Sequence, residues 1–172
     1  MHQIKEIVKQ LKVQDQRHFD IFYDMTKKAV FYAVAGIIRD ENLIEDVMQE
    51  TYMKFLSNID KVDENGNVVA YLSMIARNLA LDMYNRRKRE VYGDDLMDQM
   101  PDQRPEPQPD DQEVFKILDL LDDDAREIVT LHVINELKFR EIAVIVDKPL
   151  GTVLWKYNKA IKTLKGKVGE YL

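Results

Sequence analysis

The sequence predicts an all-α protein of two small helical domains joined by an acidic, proline-rich linker, the second domain carrying a helix-turn-helix. Apolar residues recur at helical spacing along most of the chain. Four of the five prolines fall within residues 101–109, where the apolar pattern stops and proline disfavours helix. We therefore expect a first domain over residues 1–91, a linker over residues 92–111 and a second domain over residues 112–172.

Composition limits the class of protein. A chain of 172 residues holds one medium domain or two small ones, and 45% hydrophobic with 33% charged residues is typical of a soluble protein. The longest apolar run, residues 29–38, is too short to span a bilayer, and the start lacks the apolar core of a signal peptide. The chain has no cysteine, which excludes disulfides and thiol chemistry. We expect a cytoplasmic protein without membrane insertion.

Charge is segregated along the chain. A net charge of −6 would argue against nucleic-acid binding if it were spread evenly. Residues 94–127 instead carry 13 acidic residues against 3 basic ones, and residues 151–172 carry 5 lysines against 1 glutamate. Such segregation indicates two basic contact faces joined by an acidic connector.

Three helices are expected in the first domain from apolar residues at helical spacing. The inward residues of the first helix are predicted to be Phe19, Phe22, Tyr23, Val30, Val34 and Ile37. Those of the second are Ile44, Val47, Met48, Tyr52, Phe55 and Leu56, and those of the third are Leu72, Ile75, Ala76, Leu79 and Met83. A turn-rich stretch, DENGN at residues 63–67, separates the second helix from the third.

Residues 46–89 combine two kinds of surface. The stretch opens as an acidic amphipathic helix, passes through the polar turn and closes as a helix ending in the basic run RRKR. The first surface suits a basic protein partner, and the second suits a nucleic-acid backbone. A chain with both is expected to bring DNA to another protein.

The second domain is expected to begin with a helix near Gln112. Its inward residues are predicted to be Val114, Ile117, Leu118 and Leu121. The acidic run at residues 122–124 suits the N-terminus of the next helix, both by capping and by the helix dipole.

A helix-turn-helix pattern occupies residues 138–164. One short helix is lined by Ile142, Ala143 and Val146, and after a turn at residues 147–149 the next is lined by Val153, Tyr157 and Ala160. A small residue at position 143 lets the two helices cross closely, as in DNA-binding proteins of this type. Lysines suited to phosphates and base edges follow on the second helix: Lys156, Lys159, Lys162 and Lys165. A helical hairpin with a solvated lysine face explains the same spacing equally well.

Together the two domains resemble the extracytoplasmic-function (ECF) group of bacterial RNA polymerase sigma factors, over residues 8–168. The resemblance is carried by Glu45-Asp46-Val47-Met48-Gln49-Glu50, Ile75-Ala76-Arg77-Asn78-Leu79-Ala80-Leu81-Asp82, Arg86-Arg87-Lys88-Arg89, Glu141-Ile142-Ala143 and Gly151-Thr152-Val153. It implies a factor that binds core RNA polymerase, directs it to promoter DNA and is held inactive by an anti-sigma factor. No cofactor is expected.

The resemblance also implies roles for the start of the charged stretch in the first domain. The residues implied to dock on core polymerase are Asp46, Gln49 and Glu50, which otherwise form a solvated acidic face. The loop over residues 58–67 is implied to capture a flipped base of the minus-ten promoter element, a task suited to exposed polar groups. Its candidate residues are Asn58, Asn65 and Asn67, and a plain surface turn is the alternative.

The helix after this loop is implied to meet the melting promoter. The residues concerned are Tyr71, Arg77, Asn78, Asp82, Arg86 and Arg87. Basic side chains would hold phosphates, while Asn78 would pair with base edges. Tyr71 stands where the family usually has tryptophan, so it either stacks on DNA or belongs to the core.

In the helix-turn-helix, the resemblance implies contacts with the upstream, minus-thirty-five element. Thr152, Lys156 and Lys159 match the family pattern best. Trp155 occupies a position that is commonly polar or basic in the family. It either touches thymine methyl groups in the major groove or packs against a partner.

Two other classes of protein explain less of the sequence. A metal-dependent enzyme would draw its ligands from the acidic group Glu45, Asp46, Gln49 and Glu50. Histidines that would complete such a site are isolated in sequence (His2, His18 and His132), and no phosphate-binding glycine loop or nucleophile elbow is present. A helix-turn-helix regulator acting without core polymerase explains residues 138–164 but leaves residues 46–89 unexplained. We expect no catalysis by this chain.

Overall fold

The structure, a computed structural model, describes residues 2–13, 16–38, 40–63, 65–92 and 112–168. These ranges contain eight α-helices and no strand, which confirms the predicted all-α class. The chain divides into two compact units, Met1–Gln103 and Arg104–Leu172. The predicted linker lies, from residue 93 to residue 111, outside the described residues.

Four helices form the first unit. They are α1 (His2–Lys12), α2 (Phe19–Ala35), α3 (Glu41–Ser57) and α4 (Val68–Tyr92), with short 3₁₀ turns at Gln16–His18 and Ile59–Lys61. Asp40 caps α3, since its Oδ1 accepts a hydrogen bond from the N–H of Leu43 at 3.2 Å. No helix was predicted at the start of the chain, so α1 was missed.

The core of the first unit is built from one face of each helix. Its most completely buried apolar side chains are Val8, Phe22, Val30, Val34, Val47, Phe55, Leu72, Ala76 and Ala80. Tyr23 and Leu56 were predicted to face inward, and both predictions are wrong because these side chains are exposed. Each follows a fully buried phenylalanine by one residue and is therefore rotated about 100° away from the buried face.

Four further helices and one π-helical turn form the second unit. They are α5 (Gln112–Leu118), α6 (Asp123–Val129), the π turn Thr130–Ile134, α7 (Phe139–Ile145) and α8 (Leu150–Val168). The predicted acidic cap is confirmed, because Asp122 Oδ1 accepts a hydrogen bond from the N–H of Ala125 at 2.9 Å. Ile117 was wrongly predicted to face inward; it is exposed, and its neighbour Leu118 takes the buried position.

A buried arginine closes the turn between α5 and α6. The Arg126 guanidinium donates hydrogen bonds to the carbonyl oxygens of Leu118 at 3.2 Å and Leu121 at 3.0 Å, and to Asp123 Oδ1 at 2.8 Å. The last carbonyls of a helix have no partner within the helix, so these bonds add donors at the end of α5, where the Leu118 carbonyl also accepts from the N–H of Leu121 at 3.1 Å. Arg126 thereby fixes where α6 begins.

The predicted helix-turn-helix packing is present in α7 and α8. Ile142 and Val153 are both fully buried where the two helices meet. The Glu141 carboxylate accepts a hydrogen bond from the N–H of Lys138 at 2.8 Å, which fixes the start of α7. Asp147 adopts a left-handed conformation with φ of 52° in the turn, and the next N–H, of Lys148, bonds to the carbonyl of Ala143 at 3.0 Å.

The left-handed conformation of Asp147 leads to a prediction about stability. Asp147→Val should lower the free energy of unfolding of the second unit by about 1–2 kcal/mol, because a β-branched side chain opposes positive φ. Asp147→Gly should preserve stability, since glycine adopts this conformation freely. Urea denaturation followed by the fluorescence of Trp155, the single tryptophan of the chain, measures both. Equal stabilities of the two variants would contradict the assigned turn geometry.

Candidate functional site

One side of α3 forms an exposed acidic face. Asp46, Gln49 and Glu50 are all exposed, and helical spacing places them on the same side of the helix. Met53 lies one turn further along that side and is 63% exposed. We use the name acidic face for these four residues. Met53 was not among the predicted site residues.

The acidic face is available for binding from outside. The ion pair between Glu50 and Lys54 spans 3.8 Å between half-exposed side chains and is therefore weak. An apolar side chain among carboxylates fits a partner surface that is basic and partly apolar. Among the described residues, no three histidine, aspartate or glutamate side chains converge in a way that could hold a metal ion.

The loop between α3 and α4 uses two of its three asparagines to hold its own backbone. Asn58 donates through Nδ2 to the carbonyl of Lys54 at 3.0 Å, at the end of α3. Asn67 caps α4, since its Oδ1 accepts from the N–H groups of Val69 at 3.1 Å and Ala70 at 3.2 Å. These two side chains therefore have structural roles that their sequence positions alone did not reveal.

Asn65 differs from the other two asparagines because the loop holds it by its main chain. Its N–H donates to Asp63 Oδ1 at 2.9 Å, and its carbonyl accepts from Lys5 Nζ at 2.8 Å. Gly66 completes the turn by donating to the carbonyl of Asp63 at 3.0 Å. A Cβ at position 66 would lie 3.2 Å from that carbonyl oxygen, so the tight turn favours glycine. Asn65 is exposed on this fixed backbone.

An exposed polar stripe runs along α4. Asn78, Asp82 and Arg86 are exposed at successive four-residue steps, so they line one side of the helix. Asn85 and Arg89 are exposed on the same side, and the Arg89 guanidinium donates to the carbonyl of Asn85 at 3.3 Å. We call these five residues the α4 stripe. Asn85 and Arg89 were missed as individual candidates, although Arg89 belongs to the basic run noted in the sequence.

Of the other three predicted residues of α4, Arg77 and Arg87 lie off this stripe, and Tyr71 lies two helical turns before Asn78 on the same side. Arg87 contacts Asp40, the cap of α3, with 3.4 Å between Nη1 and Oδ2. Tyr71 is half-buried, and its ring centroid lies 6.1 Å from that of the buried Phe55. Arg77 is also half-buried. Of the two alternatives left open for Tyr71, its packing favours the edge of the core.

On α8, four exposed side chains lie along one side: Trp155, Asn158, Lys159 and Lys162. Trp155 is 59% exposed, so it is not part of the core of the second unit. Lys159 Nζ lies 5.2 Å from the centroid of the Trp155 ring, within range of a cation–π contact. Thr152 is half-buried near the start of the helix. Asn158 is a polar member of this side that was not singled out from the sequence.

Lys156, which the family resemblance implies as a DNA contact, does not lie on the exposed side of α8 with Trp155 and Lys159. Lys156 Nζ lies 2.8 Å from Asp124 Oδ2, and Lys148 Nζ lies 2.7 Å from the same oxygen. The hydrogen bonds from Lys148 and then Lys156 hold the pKa of the Asp124 carboxyl below its usual range. The same bond to Asp124 raises the pKa of Lys156. This shared carboxylate ties the helix-turn-helix to α6.

The two helical units present an acidic face and exposed polar and basic sides, and comparison with known proteins identifies the family. Sigma-70 region 2 matches residues 22–90 and Sigma-70 region 4 matches residues 111–164. The chain is 30% identical to the ECF RNA polymerase sigma factor SigM of Bacillus subtilis (strain 168), over 84% of this chain and 93% of SigM. It is 28% identical to SigW of the same organism, over 94% of this chain and 95% of SigW.

Two solved structures share the fold. The sigma factor RpoE of Bartonella quintana, in complex with the anti-sigma factor NepR, superposes with a TM-score of 0.73 at 23% identity, covering 88% of this chain and 96% of RpoE. CnrH, in complex with the cytosolic domain of CnrY, gives a TM-score of 0.69 at 20% identity, covering 96% of this chain and 97% of CnrH. The chain belongs to the ECF RNA polymerase sigma factors. It directs promoter-specific initiation of transcription by RNA polymerase, and a regulator acting without core polymerase is not favoured.

None of the helices in the described ranges combines the length and apolar character needed to cross a membrane.

The ion pairs of Asp124 should make the stability of the second unit depend on pH. Asp124→Asn should lower the free energy of unfolding of the second unit by up to about 1 kcal/mol at neutral pH, since half-exposed ion pairs are screened by water. A lowered carboxyl pKa stabilises the folded state above the unfolded pKa of about 4, and this contribution disappears as the pH falls further. Urea denaturation of both proteins between about pH 7 and about pH 3 should show the difference closing only at the acid end. A difference that persists unchanged in acid would mean that charge on Asp124 is not its cause.

Proposed function

We propose that the acidic face of α3 docks this sigma factor on a basic surface of core RNA polymerase. The proposal is supported by the exposure of Asp46, Gln49 and Glu50 on one side of the helix. Met53 adds apolar area at the end of this face that would be removed from water in such an interface. The carboxylates of Asp46 and Glu50 would steer and orient a basic partner.

We propose further that the loop and the α4 stripe meet the minus-ten element as it melts. Asn65 is the loop side chain best placed to contact a flipped base, because it is exposed on a backbone held on both sides of the residue. Asn58 and Asn67 would shape the loop and contact DNA less, since their side chains bond to backbone groups. A rigid loop costs less entropy on binding than a loop that must order itself.

On α4, the proposed division of labour follows exposure. Asn78 offers a donor and an acceptor to base edges, while Arg86 and Arg89 hold phosphates from the same side of the helix. Asp82 would orient neighbouring groups on the stripe and disfavour phosphate beside it. Arg77, Arg87 and Tyr71 act mainly inside the domain, with Arg87 joining α4 to the cap of α3.

For the upstream element, we propose that Trp155 and Lys159 are the reading pair of α8. The cation–π contact between them holds both side chains near one orientation, and both are exposed. Lys159 would donate to guanine or phosphate, and the Trp155 ring would contact thymine methyl groups. Lys156 acts as a positioning residue through Asp124, and Thr152 is half-buried near the start of the helix.

In the proposed function, catalysis belongs to the polymerase, so this chain is not itself an enzyme. The chain acts in the cytoplasm, where the polymerase works. The domains are proposed to span residues 1–91 and 112–172, joined by the acidic linker. An anti-sigma factor would hold the protein inactive; both solved structures described above contain such a sigma-factor fold with a bound partner.

The observation that carries the proposal is the presence, in one unit, of an exposed acidic helix face and an exposed asparagine–arginine stripe on the next helix. A regulator that binds DNA alone has no use for the first surface. Docking on core polymerase is therefore the feature to test first.

Charge reversal on the acidic face should weaken docking while sparing the fold. Asp46→Lys combined with Glu50→Lys should weaken binding to core polymerase by at least about tenfold, because both attractive contacts become repulsive. Asp20→Lys combined with Asp24→Lys makes the same charge change at the same four-residue spacing on exposed positions of α2 and serves as the control. Co-elution on a sizing column, with melting curves for both variants, measures the effect. Wild-type binding by the α3 variant would refute the docking assignment.

Substitutions at Lys159 and Lys156 should have different effects on recognition of the upstream promoter element. Trp155→Ala and Lys159→Ala should each change which upstream sequences the holoenzyme selects, since removing one good interaction with a base costs roughly 1–3 kcal/mol of discrimination. Lys156→Ala should leave the selected sequence unchanged and lower the stability of the second unit instead, because its partner is Asp124. Selection from a library randomised in the minus-thirty-five element measures all three. A changed preference for Lys156→Ala alone would reverse the assignment.

A further inference from the structure

Helix α1 lies outside the residues matched by Sigma-70 region 2, yet it is built into the first unit. One side of α1 is apolar, and Ile4, Ile7, Val8 and Leu11 are all buried. The family match begins at residue 22 and so assigns this helix no role. Burial alone would make α1 a simple part of the core.

Two lysines on α1 reach the loop that we propose to contact the minus-ten element. Lys5 Nζ donates to the carbonyl of Asn65 at 2.8 Å, and Lys12 Nζ donates to the carbonyl of Val62 at 2.8 Å. The lysines are separated by two helical turns, which places them on the same side of α1 and roughly 10 Å apart along it. The two lysines therefore bind the backbone of the loop at two separate residues.

The two carbonyls that receive these bonds lie where the loop departs from regular structure. Val62 follows the 3₁₀ turn Ile59–Lys61. Asn65 lies in the turn that is closed by the hydrogen bond from the Gly66 N–H to the Asp63 carbonyl. Carbonyl groups in such segments have no helical partner and need a donor from elsewhere. Ammonium donors form stronger bonds than neutral ones, so they restrain the loop more firmly. The bond to Asn65 acts on the residue with the exposed side chain.

We propose that α1 positions the promoter loop, with Lys5 and Lys12 as positioning residues that set the orientation of Asn65 toward an extruded base. The inference rests on the proposed function of the loop. Neither lysine needs to touch DNA in this role. Its effect falls on discrimination among minus-ten sequences, because a loosened loop accepts wrong bases in alternative orientations.

The test uses the full chain assembled with core polymerase and a promoter library randomised in the minus-ten element. Lys5→Met combined with Lys12→Met removes both bonds and keeps an apolar side chain of similar length. Lys9→Met is the matched control, since Lys9 is exposed on the same helix and pairs with Glu6 at 2.9 Å. Discrimination against the wrong base should fall by roughly three- to tenfold in the double variant, which corresponds to the net contribution of one ordinary protein hydrogen bond. The Lys9→Met control should discriminate among minus-ten sequences as well as the wild type does. The double variant should bind core polymerase and select upstream sequences as the wild type does.

Asn65→Ala separates failure of this inference from failure of the proposed loop function. If the lysines act through Asn65, adding Lys5→Met and Lys12→Met to Asn65→Ala should cause no further loss of discrimination. Wild-type discrimination by the lysine variant, with a loss in Asn65→Ala, would overturn the role of α1 and leave the loop assignment standing. Undiminished discrimination in Asn65→Ala would overturn the loop function itself.

Two further outcomes are informative. A uniform loss of affinity for all promoters with a shallower salt dependence would show that the lysines bind phosphates directly, and this would also overturn positioning. Lys5→Met and Lys12→Met as single variants should each give a partial loss of discrimination, and they keep the test available if the double variant unfolds. Full discrimination in both folded single variants would count against the proposal.

Discussion

Close packing of α4 against α2 and α3 is the interaction on which the first unit depends. The buried face of α4 carries small side chains, with Ser73, Ala76 and Ala80 fully excluded from solvent. Small residues let helix axes approach closely, so the large side chains of α2 and α3 can fill the space around them. Because this face is fixed inward, Asn78 and Arg86 are fixed outward. The same packing turns the opposite side of α3 to solvent, which exposes the carboxylates proposed to meet the polymerase.

Charged side chains in this protein divide between holding the fold and facing a partner. Arg126 and the shared carboxylate Asp124 bind other residues of the second unit, and Arg87 binds Asp40 in the first unit. Lys159 and Arg86 remain exposed. Residue type does not distinguish the two groups, since each contains basic residues from the same short motifs. Geometry decides which cations are available to phosphates, and a negative net charge then limits binding of free DNA.

Helix class and the main helices were predictable because burial leaves a periodic apolar pattern, and the family was recognisable from short motifs in a fixed order. Individual features were less accessible. Helix α1 was missed, although Ile4, Val8 and Leu11 carry a helical pattern that could have revealed it. Lys156 was grouped with Lys159 because spacing alone does not show that Asp124 lies beside one of them.

Asparagines in the loop show the same limit. Asn58, Asn65 and Asn67 are equivalent in sequence, but hydrogen bonds with the backbone assign two of them to capping and loop closure. Apolar residues were misplaced where one residue beside a buried position is rotated out of the core, as at Tyr23, Leu56 and Ile117. Hydrophobic pattern therefore predicts the fold well, while the functional role of each polar residue depends on tertiary neighbours.

Transcription in vitro from a promoter library with purified core polymerase tests the central claim most directly. The chain combined with core should initiate from a narrow set of sequences that share both an upstream and a minus-ten element. The chain alone should bind the same duplexes weakly and without selecting among them. Tight selection of one duplex sequence by the free chain, together with no transcription when core polymerase is added, would contradict the account.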